Sequence, residues 1–270
     1  PPRSTLFPYT TLFRSNQHAA FFWAEDRRKP LSTNVERLKD VTYQEKLGSV
    51  YDKVEQTRKL ALLLCERLGR DSLAKLVERA AWLSKADLVT RMVYEFPELQ
   101  GVMGREYARH DGEDPRVALA LYEQYLPRFA SDSLPTDDVG AILGLAERIH
   151  IVVNCHKVGL EPTGSQDPYG LRRAARCINE ILWGRNLDLD LEEAVRESAL
   201  LNQVEQDVLE RILAFIGQRL LVQLKEKGYE HELAALALSV IGRRPCQALR
   251  LMEAPLVRSE ERRVGKECRS

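Results

Sequence analysis

Apolar residues recur every three or four positions along most of this sequence, and that spacing restricts the chain to helices. From Leu47 they fall at positions 47, 50, 51, 54, 61, 64, 65 and 68, before Gly69 ends the pattern. No segment alternates with period two for long enough to predict a strand. We therefore predict an all-α fold of about ten helices. The helices predicted in the second half of the chain are Leu171–Trp183, Leu191–Leu201, Glu205–Lys227 and Glu230–Ile241.

Membrane and secretory signals are missing from the sequence. It has no run of 18 apolar residues, and no basic segment is followed by an apolar stretch. The five cysteines, at positions 65, 155, 177, 246 and 268, form no Cys-X-X-Cys pair, which is typical of a reducing compartment. Walker and dinucleotide-binding glycine motifs are absent as well. We expect a cytoplasmic chain without a membrane partner.

The two ends of the chain are related through their coding DNA. The segment RSTLFPYTTLFRS, Arg3–Ser15, can be encoded by a DNA sequence whose reverse complement encodes RSEERRVGKECRS, Arg258–Ser270. Because no property of a protein produces such complementarity, we interpret residues 1–15 and 258–270 as translated sequencing adapter. We expect both ends to lie outside any folded core. The absence of methionine before Met92 also indicates an internal piece of a longer protein.

Removing the two ends changes the charge of the chain. The whole sequence has 40 basic and 40 acidic residues, of which the ends hold 7 and 3, so that 33 basic and 37 acidic residues remain. A net charge of −4 argues against bulk electrostatic capture of nucleic acid. Electrostatic binding of a nucleic acid would therefore have to use a local patch of basic residues.

The pair His110-Asp111, which follows Arg109, is the sharpest candidate for chemistry. A His-Asp pair is similar to that of metal-dependent phosphohydrolases of the HD superfamily, all-α enzymes that also need an early His and a late Asp. The helix expected to hold the pair carries Ser84 and Lys85 instead, and the late position falls near Glu147 without an Asp. Because Lys85 would repel a cation, we predict no metal site and no catalytic residue.

A second candidate site lies after the glycine-rich loop 159–170. Arg172, Arg173 and Arg176 open the next helix, where guanidinium groups and backbone N–H groups suit a phosphate backbone. Ion pairs with neighbouring helices explain the same residues equally well. His150 and His156 are six residues apart, which is no ligand spacing, and we expect them to be solvated or partly packed.

Several long stretches of the sequence resemble the β subunit of bacterial α2β2 glycyl-tRNA synthetase. Their order and spacing also fit that family, and the resemblance covers nearly all of residues 16–245. The matching stretches are FFWAEDRRKPL (Phe21–Leu31), YQEKLGSVYDKVE (Tyr43–Glu55), LSKADLVTRMVYEFPELQGVMGREYARHDGE (Leu83–Glu113), YLPRFASDSLP (Tyr125–Pro135) and GLEPTGSQDPYGLRRAA (Gly159–Ala175).

The resemblance implies a degenerate HD-like helical domain over residues 16–159, followed by a truncated helical body over 160–257. It implies an α subunit as partner in a heterotetramer, with tRNA(Gly) as the shared substrate. ATP would be used through the α subunit, so that no cofactor is expected in this chain, and the chain alone would be inactive. Candidate tRNA contacts are Arg172, Arg173, Arg176, Arg109 and His110.

The sequence departs from the family at Ala146–Val153, AERIHIVV, where a motif like ADKLDTLV with two aspartates is expected. This departure weakens any metal role further. The alternative function is an HD-type phosphohydrolase acting on a nucleotide. Ser84 and Lys85 in place of His-Asp favour the ligase subunit over that alternative.

Overall fold

The computed structural model describes residues 18–129 and 131–254. Both segments that we interpret as adapter, 1–15 and 258–270, lie outside the described residues. Their exclusion from the core therefore stays a prediction.

Helices make up most of the described part of the chain, which confirms the predicted all-α class. α9 has the predicted bounds, and α2, α8, α10 and α11 begin and end within three residues of them. The α-helices in the described ranges are α1 (18–26), α2 (Val50–Arg67), α3 (Ala74–Leu83), α4 (Arg91–Glu95), α5 (Val102–His110), α6 (Pro115–Glu123), α7 (Asp138–Lys157), α8 (Leu171–Arg185), α9 (Leu191–Leu201), α10 (Gln206–Glu226), α11 (His231–Ile241) and α12 (Pro245–Glu253).

Two short strands precede α2, where the sequence pattern predicts none. β1 (Thr42–Gln44) pairs antiparallel with β2 (Gly48–Ser49). Strands of three and two residues are too short to show a period-two pattern, which explains why the sequence misses them. Five 3-10 helices connect the longer elements in the described residues: Leu31–Asn34, Glu36–Asp40, Asp71–Leu73, Ala86–Val89 and Pro97–Leu99.

Side-chain caps fix where the helices around the candidate sites begin. The Ser49 hydroxyl accepts the Asp52 N–H while the Asp52 carboxylate accepts the Ser49 N–H, so α2 starts in a reciprocal capping box. Asp137 caps α7 by accepting the Val139 N–H. The side chain of the preceding residue, Thr136, donates instead to the buried carboxylate of Glu123, at 2.6 Å.

Helix α7 lies at the centre of the fold. α2, α3, α6, α8, α9 and α10 all pack against it, and residues on every side of it are buried. A helix that is apolar on all sides is stable only when other helices surround it. Within the described residues, no helix is both long and apolar enough to cross a membrane. The central position of α7 places Glu147, Arg148 and His150 inside the protein.

The loop that we predict as the domain boundary joins α7 to α8. Side chains of both helices, including Ile149, Val153, Ile178 and Ile181, belong to the same hydrophobic core. A smaller apolar cluster of Leu220, Leu224, Ala234 and Ala248 holds α10, α11 and α12 together. The division into an HD-like domain and a helical body stays a prediction.

Candidate nucleic-acid interface

A buried group of two lysines and one glutamate lies between α2, α3 and α7. The Lys53 ammonium donates to Oε1 of Glu147 at 2.5 Å, and the Lys85 ammonium lies 3.2 Å from the same oxygen. All three side chains are at most 10% exposed. We call Lys53, Lys85 and Glu147 the charge cluster. It sets two lysines against one carboxylate. Burial lowers the pKa of Lys53, and the Glu147 carboxylate opposes that shift.

Neutral groups complete the surroundings of the charge cluster. The Lys53 ammonium lies 4.5 Å from the ring centroid of Tyr43, and the Lys85 ammonium lies 4.4 Å from that of Tyr125. Lys85 also donates to Oε1 of Gln124, at 2.9 Å. Burial by itself raises the pKa of Glu147, but the two ammonium groups outweigh it and hold that pKa well below its usual range. Glu147 is therefore ionised.

The charge cluster does not fit a divalent cation. Ser84 and Lys85 stand where the resemblance to HD enzymes would place a His-Asp pair, and Lys85 points its ammonium at the only carboxylate of the cluster. A cation at Glu147 would have to displace two ammonium groups. Nowhere in residues 18–129 and 131–254 do three or more His, Cys, Asp or Glu side chains group as metal ligands would.

His110 and Asp111 make contacts that do not include the charge cluster. Asp111 accepts the backbone N–H of Leu31 at 2.6 Å, and its other oxygen lies 3.3 Å from Nδ1 of His110. The His110 ring stands edge-on to Trp23 of α1, with 6.4 Å between the ring centroids. Arg109 is mostly exposed and lies 3.7 Å from Glu106. The pair therefore anchors the N-terminal segment to the end of α5.

Asp87, next to the charge cluster in sequence, holds a tight turn. Its carboxylate accepts the backbone N–H of Gly101 at 2.6 Å and that of Gly104 at 3.2 Å. Gly101 has a φ of +81°, and a Cβ at this position would lie 2.6 Å from the ring of Tyr125. Glycine is therefore required here, both by the backbone and by the close approach of Tyr125.

We expect Gly101→Ala to lower the free energy of unfolding by about 2 kcal/mol, because it adds backbone strain and displaces the Tyr125 ring. Gly112→Ala is the matched control, since Gly112 has a φ of +79° but nothing within 4 Å of an added Cβ. Urea unfolding of both variants measures the difference. An equal loss in the two variants would show that the Tyr125 contact is unimportant.

The three arginines at the start of α8 have different partners. Arg172 donates to the backbone carbonyls of Gly164 and Gln166, at 2.7 and 3.4 Å. Arg176 forms ion pairs with Glu180 and Glu226, at 2.8 and 2.7 Å. Arg173 is exposed and has no carboxylate partner among the described residues. Of the three, Arg173 alone has a guanidinium available to an external anion.

Two backbone N–H groups at the start of α8 are already satisfied. Asp167 accepts the N–H groups of Leu171 and Arg172, at 2.7 and 2.9 Å. The expectation that these N–H groups help to hold a phosphate is therefore wrong for these two, because a carboxylate occupies them. An anion at this end of α8 therefore needs donors other than these two N–H groups.

Arg173 lies at the mouth of a cavity that reaches the charge cluster. The cavity has a volume of about 450 Å³ and is bounded by residues of α7, by the start of α8 and by the segments 97–102 and 122–128. Glu147 and Tyr125 line its inner part, while Arg128 and the half-exposed Tyr169 line it together with Arg173. The structure thus brings two of the regions singled out in the sequence, the Glu147 position and Arg173, to one cavity.

Arg148 also lines this cavity. Its buried guanidinium donates to the carbonyls of Gly144 and Gln124, both at 2.9 Å, and to the carbonyls of residues 125–127. These bonds fix the chain that follows α6 against α7. The guanidinium keeps its charge while its N–H groups are shared among carbonyls, so it adds a positive potential to the cavity.

Comparison with known proteins places the chain in a family. A family model described as the glycyl-tRNA synthetase beta subunit matches residues 16–239. The chain belongs to the glycyl-tRNA synthetase beta subunit family. The resemblance recognised from the sequence is confirmed, and the HD phosphohydrolase alternative is not favoured by the match.

Curated relatives in the family are similar over most of this chain. A glycine–tRNA ligase beta subunit of Syntrophomonas wolfei is 42% identical over 229 residues, which cover 83% of this chain and 33% of the relative. That of Desulfitobacterium hafniense strain Y51 is 44% identical over 225 residues, or 80% of this chain and 32% of the relative. That of Myxococcus xanthus is 52% identical over 178 residues, or 66% and 25%. The chain therefore spans about a third of the length of the relatives, or less.

Sequence reasoning missed several residues of the charge cluster and of the cavity. Lys53 could have been identified from the sequence as a buried lysine. It lies three residues after Val50 and four before Thr57, on the buried face of α2. A lysine on such a face needs a buried partner. Tyr125, Gln124 and Arg148 could not be identified in this way, because only the fold brings Tyr125 and Gln124 to Lys85 and to Arg148 of α7. His150 and His156 are buried, which corrects the expectation that they are solvated or partly packed.

Proposed function

We propose that this chain is part of the tRNA-binding beta subunit of a glycyl-tRNA synthetase, which attaches glycine to tRNA(Gly) with ATP. The observation that carries the proposal is the family match over residues 16–239. The partners in the proposal are an α subunit, within a heterotetramer, and tRNA(Gly). The site of action is the cytoplasm.

The chemistry of ATP and glycine is assigned to the α subunit. In this chain the charge cluster offers one carboxylate to two ammonium groups, an arrangement that suits neither Mg²⁺ binding nor general acid–base work. We therefore assign no catalytic residue, metal or cofactor to this chain, and its contribution is to hold tRNA.

Arg173 is the tRNA contact that we favour. Arg172 and Arg176 are occupied by carbonyls and carboxylates of the protein, whereas Arg173 is exposed and lacks such a partner among the described residues. Arg109 is the second exposed guanidinium among the candidates, 3.7 Å from Glu106, and its neighbour His110 is partly exposed. These contacts would reach phosphates and would position the tRNA without reading its sequence.

In a complete α2β2 enzyme, Arg173→Ala should weaken tRNA binding and reduce the salt dependence of the affinity by about one unit of slope. The reason is that one guanidinium–phosphate contact releases about one counterion. The measurement is the tRNA dissociation constant as a function of salt concentration.

The matched control for this experiment is Arg172→Ala. Arg172 is adjacent and equally charged, but its donors are directed at Gly164 and Gln166, so its removal should leave the salt slope nearly unchanged. A melting curve verifies that each variant is folded. If the slope stays the same in a folded Arg173→Ala enzyme, Arg173 is not a phosphate contact.

A further inference from the structure

The cavity between α7 and α8 has the size and the lining of a small-molecule site. Its volume of about 450 Å³ is within the range of pockets that bind nucleotides and other small ligands. The lining combines tyrosine rings with several charged groups, whereas the core of the fold elsewhere is largely aliphatic. The charge and the aromatic rings together decide which ligand it would hold.

Positive charge dominates the cavity. Three guanidinium groups line it, those of Arg128, Arg148 and Arg173, against the carboxylates of Glu98 and Glu147. Glu147 is neutralised by the two lysines of the charge cluster, and the exposed Glu98 offsets one of the remaining guanidinium charges. Arg128 pairs with Asp132. The remaining charge is positive, so the cavity favours an anion.

Hydrogen-bond donors face the same space. The hydroxyl of Tyr125 accepts from Lys85 at 3.1 Å and from Gln100 at 2.8 Å, so its own proton remains available to donate. Arg173 folds over Gly170, where a Cβ would lie 2.9 Å from its Nη2 atom. Glycine at position 170 therefore lets the guanidinium lie close to the backbone at the mouth of the cavity.

Aromatic rings supply the other half of a nucleotide site. Tyr122, Tyr125 and Tyr169 line the cavity, and Tyr169 is 47% exposed. Unpaired bases stack on tyrosine rings and on guanidinium planes. An exposed ring beside an unpaired arginine offers a stacking surface next to a phosphate site.

We propose that this cavity binds a nucleoside monophosphate unit without a metal ion, with the phosphate against Arg173 and the base against the exposed ring of Tyr169. The unit is either a free nucleotide or an unpaired nucleotide of an RNA. The guanidinium groups of Arg148 and Arg173 supply the positive charge. The second source deepens the proposed tRNA function, whereas the first is independent of it.

The test titrates the 270-residue chain with AMP, adenosine and inorganic phosphate in the presence of EDTA, followed by calorimetry. AMP should bind about tenfold more tightly than adenosine, because only AMP offers an anion to Arg173. Arg173→Ala should weaken AMP binding about tenfold and leave adenosine unaffected. Tyr169→Ala should weaken both nucleoside ligands, and a melting curve verifies that each variant is folded.

Arg172→Ala is the matched control and should bind AMP as the unaltered chain does, since Arg172 does not line the cavity. A single-stranded RNA trinucleotide distinguishes the two sources. Tighter binding of the trinucleotide than of AMP supports RNA, and the reverse supports a free nucleotide.

Three outcomes would overturn the proposal: no AMP binding at millimolar concentration, AMP binding no tighter than adenosine, or AMP binding that EDTA abolishes. These outcomes are separable from failure of the proposed function. If Arg173→Ala lowers the salt slope for tRNA but the chain does not bind AMP, the phosphate contact stands and the cavity site is wrong. If the chain binds AMP but the tRNA salt slope is unchanged in Arg173→Ala, the cavity site stands and Arg173 is not a tRNA phosphate contact.

Discussion

Replacement of Glu147 by glutamine is expected to lower the free energy of unfolding by about 3–5 kcal/mol, the range measured when one partner of a buried ion pair is removed. Glutamine keeps the volume of the side chain but removes the charge that balances Lys53 and Lys85. Both ammonium groups then stay buried without a carboxylate in contact. Urea unfolding at neutral pH measures the loss.

The control for this variant is Glu78→Gln, which breaks a surface pair between Glu78 and Arg58 at 2.9 Å, with Glu78 46% exposed. Such a pair contributes at most about 1 kcal/mol, because water screens it. Adding Lys53→Met to Glu147→Gln should recover part of the stability, since it removes one of the two uncompensated charges. A loss of less than about 1 kcal/mol in Glu147→Gln would show that the cluster is hydrated rather than buried.

The helices could be predicted from the sequence because their signals are local. In α9, Asp190 caps the first turn and the apolar face of the helix repeats every three or four residues, so Leu191–Leu201 needs no tertiary information. Thr136 shows the limit of such signals. Thr136 and Asp137 are both residue types that commonly cap a helix. The structure uses Asp137, because the Thr136 hydroxyl donates to Glu123, which lies 13 residues before Thr136 in sequence.

The candidate site was predictable only in part, for a related reason. The sequence alone showed that Lys85 disfavours a metal ion, because a positively charged side chain repels a cation wherever its partners lie. Its carboxylate partner is in α7, and Lys53 reaches the same oxygen from a position 94 residues away in sequence. The three arginines of α8 look equivalent in sequence. Arg176 has a structural role because it pairs with Glu226, which lies 50 residues later in the chain. Partners at that distance are set by helix packing.

The second large effect concerns pH and arises from His150. The ring is fully buried on α7, its Nε2 donates to Oε1 of Gln56 at 2.7 Å, and its Nδ1 has no partner in the described part of the structure. Burial, followed by the charge of Lys53, lowers the pKa of His150 to about 3, although Glu147 opposes this shift. The ring is therefore neutral in the folded protein at any pH above about 3.

A depressed histidine pKa makes the fold sensitive to acid. Below the ordinary histidine pKa of 6.5, His150 binds a proton in the unfolded chain, whereas in the folded chain it does so only when the pH reaches about 3. Stability should therefore fall as the pH falls through this window, by up to about 1.4 kcal/mol per pH unit. Between pH 6.5 and pH 4.5 the loss from this residue amounts to about 2.3 kcal/mol. Buried His156, whose pKa is also lowered by burial, adds to the loss with the same sign.

His150→Gln isolates this contribution. Glutamine retains a donor toward Gln56 and does not titrate, so the free energy of unfolding should fall less steeply between pH 6.5 and pH 4.5 than in the unaltered chain. The matched control is His231→Gln at the exposed start of α11, which should keep the original slope. Urea unfolding across this pH range measures all three proteins. An unchanged slope in His150→Gln would mean that His150 takes up its proton in the folded state as readily as in the unfolded chain.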